Sequence, residues 1–168
     1  MTGGAALLAF VTAERLAELW LARRNTAALK AQGAVEFAPE HYPAIVLLHA
    51  AWLGGLWALC WNAEPQAPWL AAFIVLQGLR IWVLATLGRR WTTRIIVLPE
   101  APLVARGPYR FLSHPNYCVV IGEIAVLPLA FGLVWYALAF SIANAAVLAI
   151  RIRAERRALD RRAHDARG

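Results

Sequence analysis

The most constraining feature of the chain is one apolar stretch, residues 117–150. It is 34 residues long and carries a single charge, Glu123. One membrane-spanning helix needs about 20 mostly apolar residues. The stretch is therefore too long for one span and just long enough for two short ones. Pro128 and Gly132 stand near its middle, where a tight helical hairpin would turn. Residues 43–61 and 68–88 are two further spans, with only Arg80 charged. Residues 2–21 form a weaker one, interrupted by Glu14, Arg15 and Glu18. We read it as a first span with a polar face turned toward other helices. It lacks the basic start and the small-residue cleavage pattern of a signal peptide.

Composition supports a membrane chain. Hydrophobic residues make up 61% of the sequence and charged ones 16%, more apolar than a soluble domain of this size can bury. Disorder is excluded by the same balance. A disulfide scaffold is excluded because the two cysteines, Cys60 and Cys118, lie in apolar runs. The expected fold is an all-α integral membrane protein of five spans, approximately 2–21, 43–61, 68–88, 117–131 and 133–150, in a single domain. The last two form the hairpin.

The net charge of +7 then reads as topology. Fifteen of the 17 cations fall in three segments: a first loop with Arg23, Arg24 and Lys30, a third loop from Arg89 to Arg110, and the tail from Arg151 onward. The second loop, residues 62–67, and the hairpin tip carry none. Five spans put all three basic segments on one side. The positive-inside rule places the N-terminus outside and the C-terminus in the cytoplasm. Trp20, Trp61, Trp69 and Trp91 mark span ends as interfacial belts do. Anionic lipid headgroups are the natural partners of the charge. Nucleic acid is not expected, because no recognition motif is present and the tail mixes Arg with acids. Four scattered His and two Cys give no metal-ligand spacing.

Polar residues in such a chain are costly and concentrate in two places. The first is the run from Leu103 and Val104 to Tyr117. Gly107-Pro108 marks a turn, Ser113 suits a helix N-cap, and Pro115 suits the first helical turn. A helix start there can hold a carboxylate or phosphate through its N–H groups. His114 and Tyr117, three apart, share a face. The second place is the end of the last span, where Asn144, Arg151 and Glu155 share one face. Arg151 and Glu155 alone could be a simple helix ion pair. Glu123, deep in span four, must be paired or protonated. Arg80 or Arg15 could pair it, and a catalytic role stays open.

The run Arg106-Gly107-Pro108-Tyr109-Arg110-Phe111-Leu112-Ser113-His114-Pro115-Asn116-Tyr117, an apolar hairpin and then Arg151-Ile152-Arg153-Ala154-Glu155 together resemble the isoprenylcysteine carboxyl methyltransferase family. These are small integral-membrane enzymes using S-adenosyl-L-methionine. The resemblance covers about the C-terminal 80 residues, with a catalytic part at about 98–160. Ala22-Arg23-Arg24-Asn25, Gly33-Ala34-Val35-Glu36 and His41-Tyr42-Pro43 resemble a bacterial branch that O-methylates alkylresorcinols and alkylpyrones. The resemblance implies a cofactor pocket at Leu103, Val104, Tyr109, His114, Pro115, Asn116, Tyr117 and Glu155, at the cytoplasmic face. It implies Arg151 facing the methyl acceptor, a lipid-tailed or prenyl-like molecule; Asn144, on the same helical face, is the further acceptor-side candidate. Three positions depart from the family pattern: Ser113 before His-Pro, Arg156 after Glu155, and Arg94 in place of an upstream Gln.

The physical chemistry of these residues agrees. A cofactor carboxylate suits the helix start and His114, and a sulfonium and ammonium suit Glu155 and the faces of Tyr109 or Tyr117. A carboxylate acceptor is already a nucleophile. A phenol, with pKa about 10, needs a base, for which Glu123 and His114 are the candidates. Two other readings compete. Membrane sterol reductases that use NADPH share the hairpin architecture but are longer and have more spans. A non-enzymatic transporter or assembly protein fits poorly, because no internal repeat is visible.

Overall fold

The computed structural model describes residues 2–98, 101–102 and 104–165, with side chains described to residue 160. Among these residues there are five α-helices and one short antiparallel pair of strands. The helices are α1 (Gly3–Lys30), α2 (Tyr42–Cys60), α3 (Ala67–Leu87), α4 (Pro115–Ala130) and α5 (Val134–Asp165). The strands are β1 (Val35–Phe37) and β2 (Ile95–Val97). The fold is therefore the all-helical one expected, with a small sheet that the sequence reading did not include.

Three helical segments are long and apolar enough to cross a membrane: Pro39–Cys60, Ala67–Arg90 and Val134–Asp160. Two of the five expected spans differ from these. α4 is apolar but has 16 residues, about 24 Å against a hydrocarbon core of about 30 Å. α1 carries Glu14, Arg15 and Glu18 in its middle and does not reach spanning composition. α1 also runs on to Lys30. Arg23, Arg24 and Lys30 are thus helical, not in a loop, because residues 22–30 are mostly good helix formers. Likewise α5 continues unbroken through the basic tail to Asp165.

The hairpin turn falls at residues 131–133, where Gly132 adopts φ +73°, a left-handed conformation that favours glycine. Pro128 is inside α4 and not in the turn itself. Phe131 and Leu133 N–H groups both return to the Pro128 carbonyl, at 3.0 Å each, which closes the helix end.

An apolar core joins α1, α2, α3 and α4 through Leu8, Val11, Trp52, Leu56, Phe73, Ile124 and Leu127. Outward side chains such as Val75, 72% exposed, and Trp135, 81% exposed, have lipid as their natural partner. Between the core and the basic end lies an ion network. Arg80 is 2% exposed. It donates from Nε to Glu123 Oε1 at 2.9 Å and from Nη1 to Glu18 Oε1 at 2.8 Å, and its Nη2 also meets Glu123 Oε2. Arg15 adds Glu18 at 2.8 Å and Glu123 at 3.1 Å, and Gln77 donates to Glu123 at 2.9 Å. The charges of α1 do turn inward, as the sequence led us to expect. The network ties α1, α3 and α4 together at depth, where an unpaired charge would be very costly.

At the basic end, Asn25 is buried and its amide donates to the Gly88 and Trp91 carbonyls at 3.1 and 2.8 Å. This clasps α1 to the end of α3. β1 and β2 pair as Val35 with Val97 and Phe37 with Ile95, and Ile95 and Val97 pack on Ala158 of α5. The sheet thereby holds residues 91–94 against the last helix. Lys30 and Arg94 both reach Glu36, each at 2.5 Å. Burial alone would raise the Glu36 carboxyl, but hydrogen bonds and charge from these two cations hold it below its ordinary value.

Candidate functional site

α4 begins at Pro115, in the first-turn position expected. Its N-cap is His114, with no side-chain cap, and not Ser113. The backbone at His114, φ −135° and ψ 63°, turns one residue later than the Ser113 reading placed it. His114 is left free to stack on Tyr117, with ring centroids 4.9 Å apart and planes 17° apart. The shared face expected of these two residues is present.

Arg151 and Glu155 do not form the simple helix ion pair. Both meet the Tyr117 hydroxyl instead: Arg151 Nε donates to it at 3.0 Å, and it donates to Glu155 Oε2 at 2.5 Å. Arg151 Nη1 donates to the Thr93 carbonyl at 2.7 Å, which fixes the guanidinium between α4 and the segment before β2. His114 Nδ1 is 3.8 Å from Glu155 Oε2. One phenol thus joins a cation on one side to a carboxylate on the other.

Two cavities meet at this cluster. The first, about 570 Å³, lies toward the basic end and is lined by Val104, Tyr109, Ser113, His114 and Glu155, among others. The second, about 310 Å³, runs toward the membrane-spanning part between α1, α2, α4 and α5, and takes in His49, Val120, Asn144 and Leu148. Trp91, Thr92, Asn116, Tyr117 and Arg151 line both and form a shared wall. Two polar atoms of this wall, Asn116 Oδ1 and Trp91 Nε1, are buried without a hydrogen-bond partner among the described residues. Buried groups of that kind are uncommon and call for an explanation.

The chain belongs to the isoprenylcysteine carboxyl methyltransferase family. The family model matches residues 69–161, more than half of the chain and every residue of the shared wall. Two relatives are similar along nearly their whole length. One is an uncharacterized protein, YpbQ, of Bacillus subtilis strain 168, 42% identical, with 91% of this chain and 94% of the relative covered. The other is an uncharacterized protein of Haemophilus influenzae, 27% identical, covering 90% and 91%. No solved structure matches the chain. Family membership points to methyl transfer at a membrane.

The residues that the family resemblance singled out are distributed over the two cavities. Val104, Tyr109, His114 and Glu155 line the first cavity. Asn144, 4% exposed, lines the second. Asn116, Tyr117 and Arg151 line both. Pro115 is fully buried at the start of α4. Leu103 lies outside the described residues. Burial, and then the charge of Glu155, push the Tyr109 phenol up to about 12, so at neutral pH it is a proton donor and not a base. Arg94, the departure from the family's Gln, is occupied by Glu36 and by the ring of Tyr42, 4.3 Å from its guanidinium carbon.

Glu123 lines neither cavity. Of the two readings left open for it, the geometry favours pairing, because Arg80, Arg15 and Gln77 already hold both of its oxygens.

Trp91 is 4% exposed and packs with Ala22 and Val83, so it is not the interfacial belt residue expected. It is a wall of the site. His49 and Thr93 were not singled out in the sequence, and Tyr42 only as part of the His41-Tyr42-Pro43 run. Each stands alone in an apolar or loop segment, with no partner at helical spacing.

Proposed function

We propose that the chain is an S-adenosyl-L-methionine-dependent O-methyltransferase that modifies a lipid-tailed acceptor. The observation that supports this most is the shared wall of the two cavities. Methyl transfer is an in-line displacement: donor and acceptor must approach one carbon from opposite sides, with water excluded. Two cavities that adjoin through shared lining residues offer that approach. The polar cavity would take the cofactor and the membrane-directed one the acceptor.

The residues present fit the cofactor. Asn116 Oδ1 is an unmet acceptor suited to N–H donors, Glu155 offers a carboxylate to a cation, and the Tyr109 and Tyr117 rings offer π faces to a sulfonium. When bound, the cofactor would supply an electrophilic methyl group. The chain's own part is positional. Tyr117 and Thr93 hold Arg151 at the wall, where its charge would draw an acceptor oxygen into line. The tail of the acceptor would lie toward the exposed faces of α1 and α2 by Leu16 and Val46, which border the second cavity. By the positive-inside rule the basic end, and with it the polar cavity, faces the cytoplasm.

The acceptor is either a carboxylate or an acidic hydroxyl. Neither earlier base candidate borders the acceptor cavity: His114 lines the first cavity only, and Glu123 lines neither. His49 does border it. Its Nδ1 is 2.8 Å from the Ile45 carbonyl, so Nδ1 carries the proton and Nε2 keeps its lone pair. His49→Phe would then spare a carboxylate acceptor and slow a hydroxyl one.

The deciding experiment is calorimetry in detergent with S-adenosylhomocysteine against NADPH, followed by label transfer from tritiated cofactor to a lipid extract. Binding of the homocysteine compound and labelling that is lost in Glu155→Ala would support the assignment. NADPH binding alone, or no labelled lipid, would overturn it.

A further inference from the structure

A third cavity, about 640 Å³, opens on a neighbouring face of α5, between that helix and the start of α2, and shares Val147 with the second cavity. Ala44, Val147 and Ile150 line its deeper part, and Arg153 and Arg157 line its outer part. From Val147 to Arg157 is ten residues of helix, about 15 Å, or half of a hydrocarbon core of about 30 Å. The groove therefore passes from apolar depth to a cationic rim over the length of a lipid's upper chain and headgroup.

The rim is charged without being satisfied. Arg153 and Arg157 are one turn apart and both exposed, and neither forms an ion pair among the described residues. His41, also on the lining, has both ring nitrogens buried without a hydrogen-bond partner among the described residues. At least one of these nitrogens carries a proton and can donate. Among the described residues Glu40 is the one acidic side chain of the lining, so two guanidinium groups outweigh one carboxylate. Two arginine forks and an imidazole above an apolar trough suit a phosphate joined to an acyl chain.

We propose that this groove holds one anionic phospholipid of the surrounding leaflet, with its phosphate between Arg153 and Arg157 and its chain along Ala44 and Val147. Arg153 is two residues from both Arg151 and Glu155, and Arg157 is two from Glu155 and six from Arg151, so both arginines lie about 120–160° around the helix from the site residues. The lipid would brace α5 from the face beside the second cavity.

Native mass spectrometry of the detergent-purified protein tests this, with phosphatidylglycerol and phosphatidylcholine of matched chains titrated in parallel. One phosphatidylglycerol should bind about 30-fold more tightly than phosphatidylcholine, as two arginines at about 1 kcal/mol each imply. The double variant Arg153→Gln/Arg157→Gln should lose that preference with helical content unchanged by circular dichroism. Should it fail to fold, Ala44→Phe decides, since it fills the apolar trough without touching charge and should also abolish the bound lipid. Equal binding of the two lipids, or a preference that survives these substitutions, would overturn the proposal. Displacement of the lipid by inorganic phosphate would overturn it in favour of a free-anion site.

Discussion

Tyr117→Phe removes one oxygen from the centre of the shared wall and leaves the ring to stack on His114. That oxygen takes a hydrogen bond from Arg151 at 3.0 Å and gives one to Glu155 at 2.5 Å. Hydrogen bonds to charged groups contribute about 1.5–3 kcal/mol each. The side chain of Glu155 is 33% exposed, so water replaces part of what is lost. Arg151 and Glu155 are also one turn apart and can pair directly, recovering about 0.3–0.5 kcal/mol. The net cost to folding is then about 2–4 kcal/mol. The cost to methyl transfer is separate. A guanidinium drawn toward Glu155 leaves the acceptor side of the wall, and a misplacement of about 1 Å can lower a rate about 100-fold.

The assay is single-turnover label transfer in detergent, with cofactor affinity measured separately by calorimetry. The expected result is a fall in the rate of transfer of about 10- to 100-fold, with cofactor affinity changed only about threefold, because Glu155 and Asn116 remain. Arg151→Lys should behave similarly, since an ammonium cannot reach Tyr117 and Thr93 together. The double variant should be little worse than either single one. A Tyr117→Phe protein that transfers methyl at the wild-type rate, or one whose defect is wholly in cofactor binding, would refute the reasoning.

Three further outcomes follow from the scaffold. Arg80→Met leaves Glu14, Glu18 and Glu123 with Arg15 as their guanidinium partner, and reversible unfolding in mixed micelles should show a loss of about 3–5 kcal/mol; Arg80→Met/Glu123→Leu should recover most of it, and a single variant as stable as wild type would count against the network. Gly107 has φ +57° and an added Cβ would stand 2.4 Å from Thr86 Oγ1, so Gly107→Ala should cost about 1–3 kcal/mol and weaken cofactor binding through displaced Tyr109, as calorimetry would read. Glu36 has its carboxyl held below 4.5 by Lys30 and Arg94; its contribution to stability is complete above that value and is lost as pH falls through the lowered one, so the gap in melting temperature between wild type and Glu36→Gln should be constant near neutrality and close in acid.

Much of the site was legible because its residues lie close together along helices. Pro115 at the start of α4 follows from proline's preference for the first helical turn, and the His114–Tyr117 and Arg151–Glu155 faces follow from positions three and four apart. The turn of the hairpin was legible from Gly132. What could not be read was closure between distant segments. β1 and β2 have three residues each and pair across sixty positions, too short to show an alternating pattern. Without that pairing nothing in the sequence places Trp91, Thr92 and Thr93 against Asn116 and Arg151, so the wall between the two cavities had no local signature. The extension of α1 to Lys30 was missed for a different reason: hydropathy marks where a membrane ends, not where a helix does. Arg151 and Glu155 show the limit most directly. Spacing fixed that they share a face, and an ion pair was the simplest use of it. Tyr117, from another helix, instead bonds to both, and that third element makes a junction of what spacing alone would leave as a salt bridge.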